Sequence, residues 1–308
     1  MHNVIRNFKK NKELLFMVLP VTVWLILFSY LPMFGIVIAF KDYKIHKNGF
    51  LYSLIYSKWV GLKNFEYLFK TDAWLITRNT ILYNIVFIVT GLIFSVTFAI
   101  LLCEVANRRL AKFYQTTMFL PHFLSWVVVG YFFYGFLSID KGFFNQILKI
   151  MGKEPVLWYS DPSPWPFILI FMNLWKGTGY GSVVYMAAIM GIDKTYYEAA
   201  MLDGASKWQQ IKHITLPMLK PVMIILTVLA LGRIFNSDFG LFYQVPRDSG
   251  ALYDVTNVID TFVFRGLRTF SNIGMTAAAG FYQSIMGFLL VLISNYIINK
   301  IDSENALF

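Results

Sequence analysis

The residue types that carry covalent chemistry are few and scattered in this chain. The four histidines, His2, His46, His122 and His213, stand far apart. None of them falls in a His-x-x-x-His or Cys/His spacing that closes a metal site. The single cysteine, Cys103, cannot form an internal disulfide. No Gly-x-Ser-x-Gly elbow is present, and no nucleophile–base pair stands out. Ile147 occupies the place where a phosphate-binding loop ending in Gly152-Lys153 would begin with glycine, so the chain lacks that route to ATP. The string Gly177-Thr-Gly-Tyr-Gly181 has the look of a channel filter. It runs straight on into the apolar Val183-Val-Tyr-Met-Ala-Ala-Ile-Met190, where small residues serve close helix packing.

One segment is different in kind, and its chemistry is mechanical. Between Asp193 and Pro221 the sequence places Glu198 three residues after Thr195, and Gln209 three residues after Ser206. Each pair is the pattern of a capping box, in which two side chains reciprocally satisfy the free N–H groups of a helix start. Between them lies Asp203-Gly204, a helix-stop signal that uses the left-handed freedom of glycine. Pro217 then stands near the start of the next apolar run. Two short capped helices joined by a tight turn make a stiff projection, suited to transmitting force.

The elements that must carry this projection are set by composition. Of 308 residues, 57% are hydrophobic and 14% charged, against roughly 45 to 50% and about 25% in soluble domains. Mean hydropathy is +0.57. A soluble enzyme and a nucleic-acid-binding domain are excluded. The net charge of +10 comes from lysines and arginines that flank apolar runs, as membrane anchors do. Runs 14–40, 79–103, 113–139 and 269–299 carry no charge and exceed the roughly 20 residues that cross a bilayer core. Run 165–192 is broken only by Lys176, and 216–236 only by Lys220 and Arg233 near its ends. The fold class is therefore an all-α integral membrane protein with six transmembrane helices.

Its parts are residues 1–13 before the first span, the six-span domain 14–302 and a tail 303–308. The first apolar run, at 27 residues, exceeds the about 7 to 15 of a signal-peptide core, and no small-x-small cleavage site follows it. It reads as a retained span. Total Lys and Arg numbers on the two sides are nearly equal, so the short connections decide orientation. Arg6, Lys9, Lys10 and Lys12 precede the first span, and Arg108, Arg109 and Lys112 crowd one tight loop, which predicts cytoplasmic termini. In Trp59–Phe69, Leu62, Phe65, Leu68 and Phe69 share one helical face, predicting a short helix in the outer membrane interface.

The capped segment also resembles a known family. Glu198-Ala199-Ala200, then Gly204, Ile214 and Leu216-Pro217, at those spacings, is similar to the EAA loop of permease subunits in bacterial ABC importers. The wider chain resembles the carbohydrate-uptake branch, in particular LplB-like polysaccharide and oligosaccharide permeases. Gly61-Leu-Lys-Asn-Phe65, Leu120-Pro-His-Phe-Leu-Ser-Trp126, Trp175-Lys176 and Phe281-Tyr-Gln-Ser-Ile-Met-Gly287 carry that likeness.

The resemblance implies a type I ABC importer permease fold in the bacterial plasma membrane. It implies a second, different permease subunit, two ATPase subunits and an external substrate-binding protein. ATP and magnesium belong to those ATPases; no cofactor or metal is assigned to this chain. The EAA loop, at 193–220, is the expected ATPase contact, with coupling residues Glu198, Ala199, Ala200, Asp203, Gly204, Ala205, Trp208, Ile214, Leu216 and Pro217.

Sugar sites combine aromatic faces with hydroxyl-bonding groups. In-span candidates are Trp126, Tyr131, Asn173, Trp175, Lys176, Tyr180, Asn236, Tyr282 and Gln283. Lys176 leads them, because a charge inside a span usually faces a cavity or a partner. Arg233 and Asp238 are placed to pair with each other or with neighbours. The EAA loop reads the ATPase rather than the cargo, so a non-sugar solute stays open at this point. An ion-driven transporter would favour carboxylates inside the spans. Every Asp and Glu instead lies in a loop or at a span edge.

Overall fold

The computed structural model describes residues 11–66, 73–269 and 271–301. Expectations for residues 1–10, for Leu68 and Phe69, and for the tail 303–308 lie outside the described residues. The described residues are mostly helical, joined by turns and loops, with one two-residue antiparallel strand pair among them. The chain divides into two compact units, Met1–Thr71 with Val263–Tyr282, and Asp72–Phe262 with Gln283–Phe308.

In the first unit, α1 (Lys12–Leu25) runs on through a π turn (Ile26–Tyr30) and a 3-10 stretch (Leu31–Phe40). Its apolar side chains are almost all exposed, Phe16 and Met17 to more than three quarters, as suits a surface that meets lipid. Strands β1 (Lys41–Asp42) and β2 (Lys58–Trp59) pair Lys41 with Trp59, with α2 (Phe50–Tyr56) between them. Buried Lys41 donates to the carbonyls of Leu54 and Ile55 at 2.6 and 3.2 Å, which ties off the end of α2. Of the interfacial helix expected over Trp59–Phe69, the part from residue 67 onward lies outside the described residues. Its first residues join the strand pair, Gly61 takes φ +57°, and a single 3-10 segment (Gly61–Phe65) follows. Asn64 instead locks onto the carbonyls of Ala39 and Lys41, at 3.0 and 2.8 Å.

The second unit is built on α3 (Ala73–Glu104) and α7 (Trp165–Met190), which pack along much of their length. Small residues permit this. A Cβ on Gly181 would meet Ser95 Oγ at 2.4 Å, and one on Gly179 would meet the Met118 carbonyl oxygen at 1.9 Å. The filter-like glycine string is thus a packing surface. α4 (Arg108–Phe119), continued by a 3-10 turn (Leu120–Phe123), lies against α7, and α5 (Trp126–Leu137) follows. The buried core joins Trp165, Leu169 and Met172 of α7 to Leu241, Phe242, Val245, Leu252 and Val258.

Among the described residues, four helical stretches are long and apolar enough to cross a membrane: Lys12–Phe40, Ala73–Glu104, Lys207–Leu231 and Ile273–Tyr296. The expected straight span over 113–139 is instead two pieces, Arg108–Phe123 and Trp126–Leu137, bent by 99° at a two-residue break. At 1.5 Å per residue, the 12-residue α5 reaches only about 18 Å, short of a bilayer core of about 30 Å. α7, at 26 residues, has the length of a span. Half-buried Asn173 and Lys176 lower its hydropathy, together with Thr178, Gly179 and Ser182 in the middle of its buried face.

The remaining helices are α6 (Phe143–Ile150), α8 (Lys194–Leu202), α9 (Lys207–Gln210), α10 (Leu216–Leu231), α11 (Phe239–Gln244), α12 (Tyr253–Thr256), α13 (Ile259–Arg268) and α14 (Ile273–Ile301). The apolar run expected over 216–236 ends as helix at Leu231, and a turn takes over at Gly232.

Candidate functional site

The stiff projection is present, built somewhat differently from its sequence reading. α8 is capped by Asp193, whose carboxylate accepts from the Thr195 N–H at 3.0 Å. That bond holds the Asp193 carboxyl below its usual range. Thr195 therefore sits inside the helix, and the expected Thr195–Glu198 box is replaced by an Asp cap two residues earlier. An ionised carboxylate is the stronger acceptor for a helix start.

The far end of α8 is a Schellman stop. Gly204, at φ +81°, donates to the Met201 carbonyl at 3.1 Å, and Ala205 donates to Ala200 at 2.8 Å. The second box is found as read, with Ser206 Oγ accepting from Gln209 N–H and Gln209 Oε1 accepting from Ser206 N–H at 2.7 Å. α9 is no separate short helix. It continues through a π turn (Ile211–Thr215), which carries Ile214, into α10. Leu216 and Pro217 lie in the first turn of α10. The whole of Lys207–Leu231 is one stretch.

Glu198, Ala199, Asp203 and Gly204 are exposed, Ala200 and Ala205 half-buried. Trp208 is 68% exposed and Leu202 90%, so two large apolar side chains stand in the open on the hairpin. Leu202 escaped the sequence reading because an isolated Leu in an amphipathic pattern looks like core. The hairpin is fastened at its base: Tyr197 and Thr215 share a hydroxyl–hydroxyl bond of 2.9 Å, and Lys207 meets Glu104, the last residue of α3, at 3.2 Å. Buried Gln210 donates to the Ala205 carbonyl at 3.1 Å.

A second cluster gathers at the break between α4 and α5. Lys176 on α7 donates to the His122 carbonyl at 2.8 Å and lies 5.2 Å above the Trp126 ring. The Trp126 indole N–H donates to Asp238, the N-cap of α11. Gly240 leaves room for that ring, since a Cβ there would stand 2.2 Å from it. Asp238 is thus engaged by Trp126 and the α11 N–H groups; it forms no ion pair with Arg233 among the described residues. Tyr180 stacks on His122 at 4.4 Å, nearly parallel.

The other candidates are dispersed. Exposed Tyr131 lies under the Arg247 guanidinium at 5.2 Å. Asn173 is half-buried on α7, and Trp175 lines a wholly apolar cavity of about 390 Å³ with Phe132, Phe136 and Phe171. Asn236 is exposed, and its carbonyl accepts from Asn84 at 3.2 Å. Tyr282 is half-buried on α14. Buried Gln283 donates to the Phe235 carbonyl at 2.6 Å and to Asp260 at 3.3 Å. Asp260 also accepts from the Ser237 N–H, and burial raises its carboxyl above the usual range against those bonds. Asn84 and Asp260, which hold the turn after α10, were not singled out from sequence, and Asp238 was read only as an ion-pair partner. A lone Asn amid the apolar residues of α3 was the available signal.

A family model described as the binding-protein-dependent transport system inner membrane component matches residues 91–303, which span the hairpin and both helix breaks. The chain belongs to this family. It is 30% identical over 297 residues to the protein LplB of Bacillus subtilis (strain 168), covering 96% of this chain and 91% of that one. It is 32% identical over 296 residues to the polygalacturonan/rhamnogalacturonan transport system permease protein YteP of the same organism, covering 96% and 90%. It also matches a chain of the crystal structure of a bacterial alginate ABC transporter in complex with an alginate pentasaccharide-bound periplasmic protein. There the TM-score is 0.85 at 30% identity, over 96% of this chain and 97% of that one. This family's members are membrane transport components rather than enzymes.

Proposed function

We propose that this chain is one of two permease subunits of an ATP-driven importer, and that it forms half of the path for an oligosaccharide handed over by an external binding protein. The names of YteP and of the alginate transporter point to polysaccharide cargo. In this reading six spans cross the bacterial plasma membrane: the four apolar stretches, α7, and the bent pair α4–α5, with both termini cytoplasmic. The second permease is a different chain.

The observation that carries the reading is the hairpin Asp193–Thr215. Capped at both of its helix starts, closed by the Gly204 stop and continuous with α10, it has no soft joint at which an imposed displacement would dissipate. Exposed Trp208 and Leu202 are anchors of the kind that fill pockets on a partner. Small Ala199, Ala200 and Ala205 admit close approach. An ATPase subunit takes the hairpin, with Glu198 to His213 as the coupling element. When the two ATPases close on ATP, the hairpin moves with them and α10 tilts. The permease then exchanges between two states of similar free energy, biased by nucleotide and by the loaded binding protein.

Trp126, Lys176 and Tyr180 form the cargo-facing set in this scheme, with Asp238 added to them. They supply an aromatic face, a cation and a carboxylate at one helix break, the kind of irregular backbone a membrane tolerates where it lines a cavity. Isolation of the chain from native membranes in mild detergent tests the reading. An ATPase and a second permease are expected to co-purify, and Glu198→Lys to release the ATPase. Recovery of the chain alone, or only with copies of itself, overturns it.

A further inference from the structure

Arg247 and Asp248 are consecutive non-glycine residues at φ 56° and 51°, a left-handed pair that L side chains rarely adopt. The turn that imposes this follows α11. The Asp248 N–H donates to the Tyr243 carbonyl at 3.1 Å and the Arg247 N–H to Gln244 at 3.3 Å. Strain of this kind persists where the surroundings over-determine it, and it concentrates at ligand sites. Its effect is to lay the Arg247 guanidinium 4.2 Å from the Tyr134 ring centre and 5.2 Å from that of Tyr131. A cavity of about 180 Å³ opens beside it, lined by Tyr131, Tyr243, Gln244, Arg247 and Asp248 among others.

The chemistry of this pocket is selective. A guanidinium held over aromatic faces keeps its charge and its planar fork of donors, which matches a carboxylate through two parallel bonds. No described carboxylate forms an ion pair with Arg247. Asp248, its neighbour, accepts instead from the Tyr253 hydroxyl at 3.2 Å. Tyr131 is 66% exposed and offers a flat face, and the Gln244 amide can both donate and accept. The volume is below the roughly 300 to 1,000 Å³ of a site that swallows a whole drug-sized ligand, so it takes one ring of a longer chain. We propose that this pocket is a subsite for one carboxylate-bearing sugar ring, with Arg247 reading the acid and Tyr131 the ring face. The proposal rests on the oligosaccharide reading above and adds to it the charge of the cargo.

The test is uptake into proteoliposomes holding the complete importer and its binding protein. The probes are a hexuronate trimer and the same trimer with its carboxyls methyl-esterified. Arg247→Ala is expected to cut uptake of the acid trimer about tenfold or more, through a raised KM, while the ester is affected little, so that the acid-to-ester ratio collapses. Arg247→Lys, which keeps the charge but not the planar fork, restores part of the ratio. Equal losses for both probes, no loss for either, or weaker docking of the binding protein whatever it carries each overturn the subsite and leave the oligosaccharide reading standing. A wild-type importer that moves neither probe, nor any neutral oligosaccharide, overturns the two together.

Discussion

The indole N–H of Trp126 donates to Asp238 Oδ2 at 2.6 Å across 112 positions of sequence. This one bond joins the start of α5 to the start of α11, each the first helix after a break. Lys176 closes the same junction from α7 by holding the His122 carbonyl that the first break leaves exposed. Two discontinuities that would each strand backbone groups in an apolar medium are therefore stitched to one another.

Replacing Trp126 by Phe keeps the ring and removes the donor. A hydrogen bond to a charged group is worth about 1.5 to 3 kcal/mol, so thermal stability of the purified complex should fall and uptake with it. Asp238→Asn, which retains a helix cap, should be milder. A Trp126→Phe complex as stable and active as wild type would remove the bond from the account.

Lys176→Met leaves the apolar stem and deletes the ammonium. The His122 carbonyl then lacks its partner, at a cost of about 1 to 3 kcal/mol for an unsatisfied group. Proteolysis of membranes should show faster cleavage near Leu124-Ser125 if the break loosens. An unchanged digestion pattern would show that other bonds hold it.

Gly204→Val places a β-branched residue at φ +81°, where the left-handed conformation costs roughly 1 to 2 kcal/mol. Nothing stands within 4 Å of the added Cβ, so the strain is in the backbone alone. Membrane insertion should survive, while ATP-driven uptake is lost; Gly204→Asn should retain more. Full uptake by the Val variant contradicts a rigid hairpin.

Asp260 gives a pH dependence of definite sign. Its carboxyl is raised above the usual range by burial, so between the unfolded and folded values the native state binds more protons. Stability is fully present below the ordinary carboxylate range and falls as pH rises through the raised value. Melting temperatures of the solubilised complex measured across that interval should decline, and Asp260→Asn should flatten the slope. A rising curve that the Asn variant leaves unchanged assigns the effect to other carboxylates.

Much of this molecule was legible in the linear chain because the relevant physics is local. Charge-free runs longer than a bilayer core can only be buried in lipid or protein, which located the apolar helices, though the stretch read over 216–236 is found over Lys207–Leu231 and 113–139 is broken in two. The cap at Ser206–Gln209 and the stop at Gly204 are set within six residues of sequence, and both are found where the spacing put them. Asp193 took the first cap from Thr195 because capping is a contest between adjacent acceptors, and a carboxylate outcompetes the expected box.

What required the tertiary structure is whatever depends on residues meeting from afar. An apolar run says nothing of a bend, and 113–139 breaks by 99° because Ser125 caps a new helix while Lys176 and Asp238 reach the break from two other places in the chain, Asp238 through Trp126. The strand pair that Trp59 joins needs Lys41 as its partner. Arg247 reads as an ordinary loop cation until a left-handed turn lays it over Tyr131 and Tyr134, more than 100 positions away. Sequence by itself determined which segments are apolar and where helices start and stop, since those follow from side-chain transfer and short-range hydrogen bonds. Tertiary packing decided which polar groups share a cavity, because in a medium without water each such group must find its partner wherever the fold brings one.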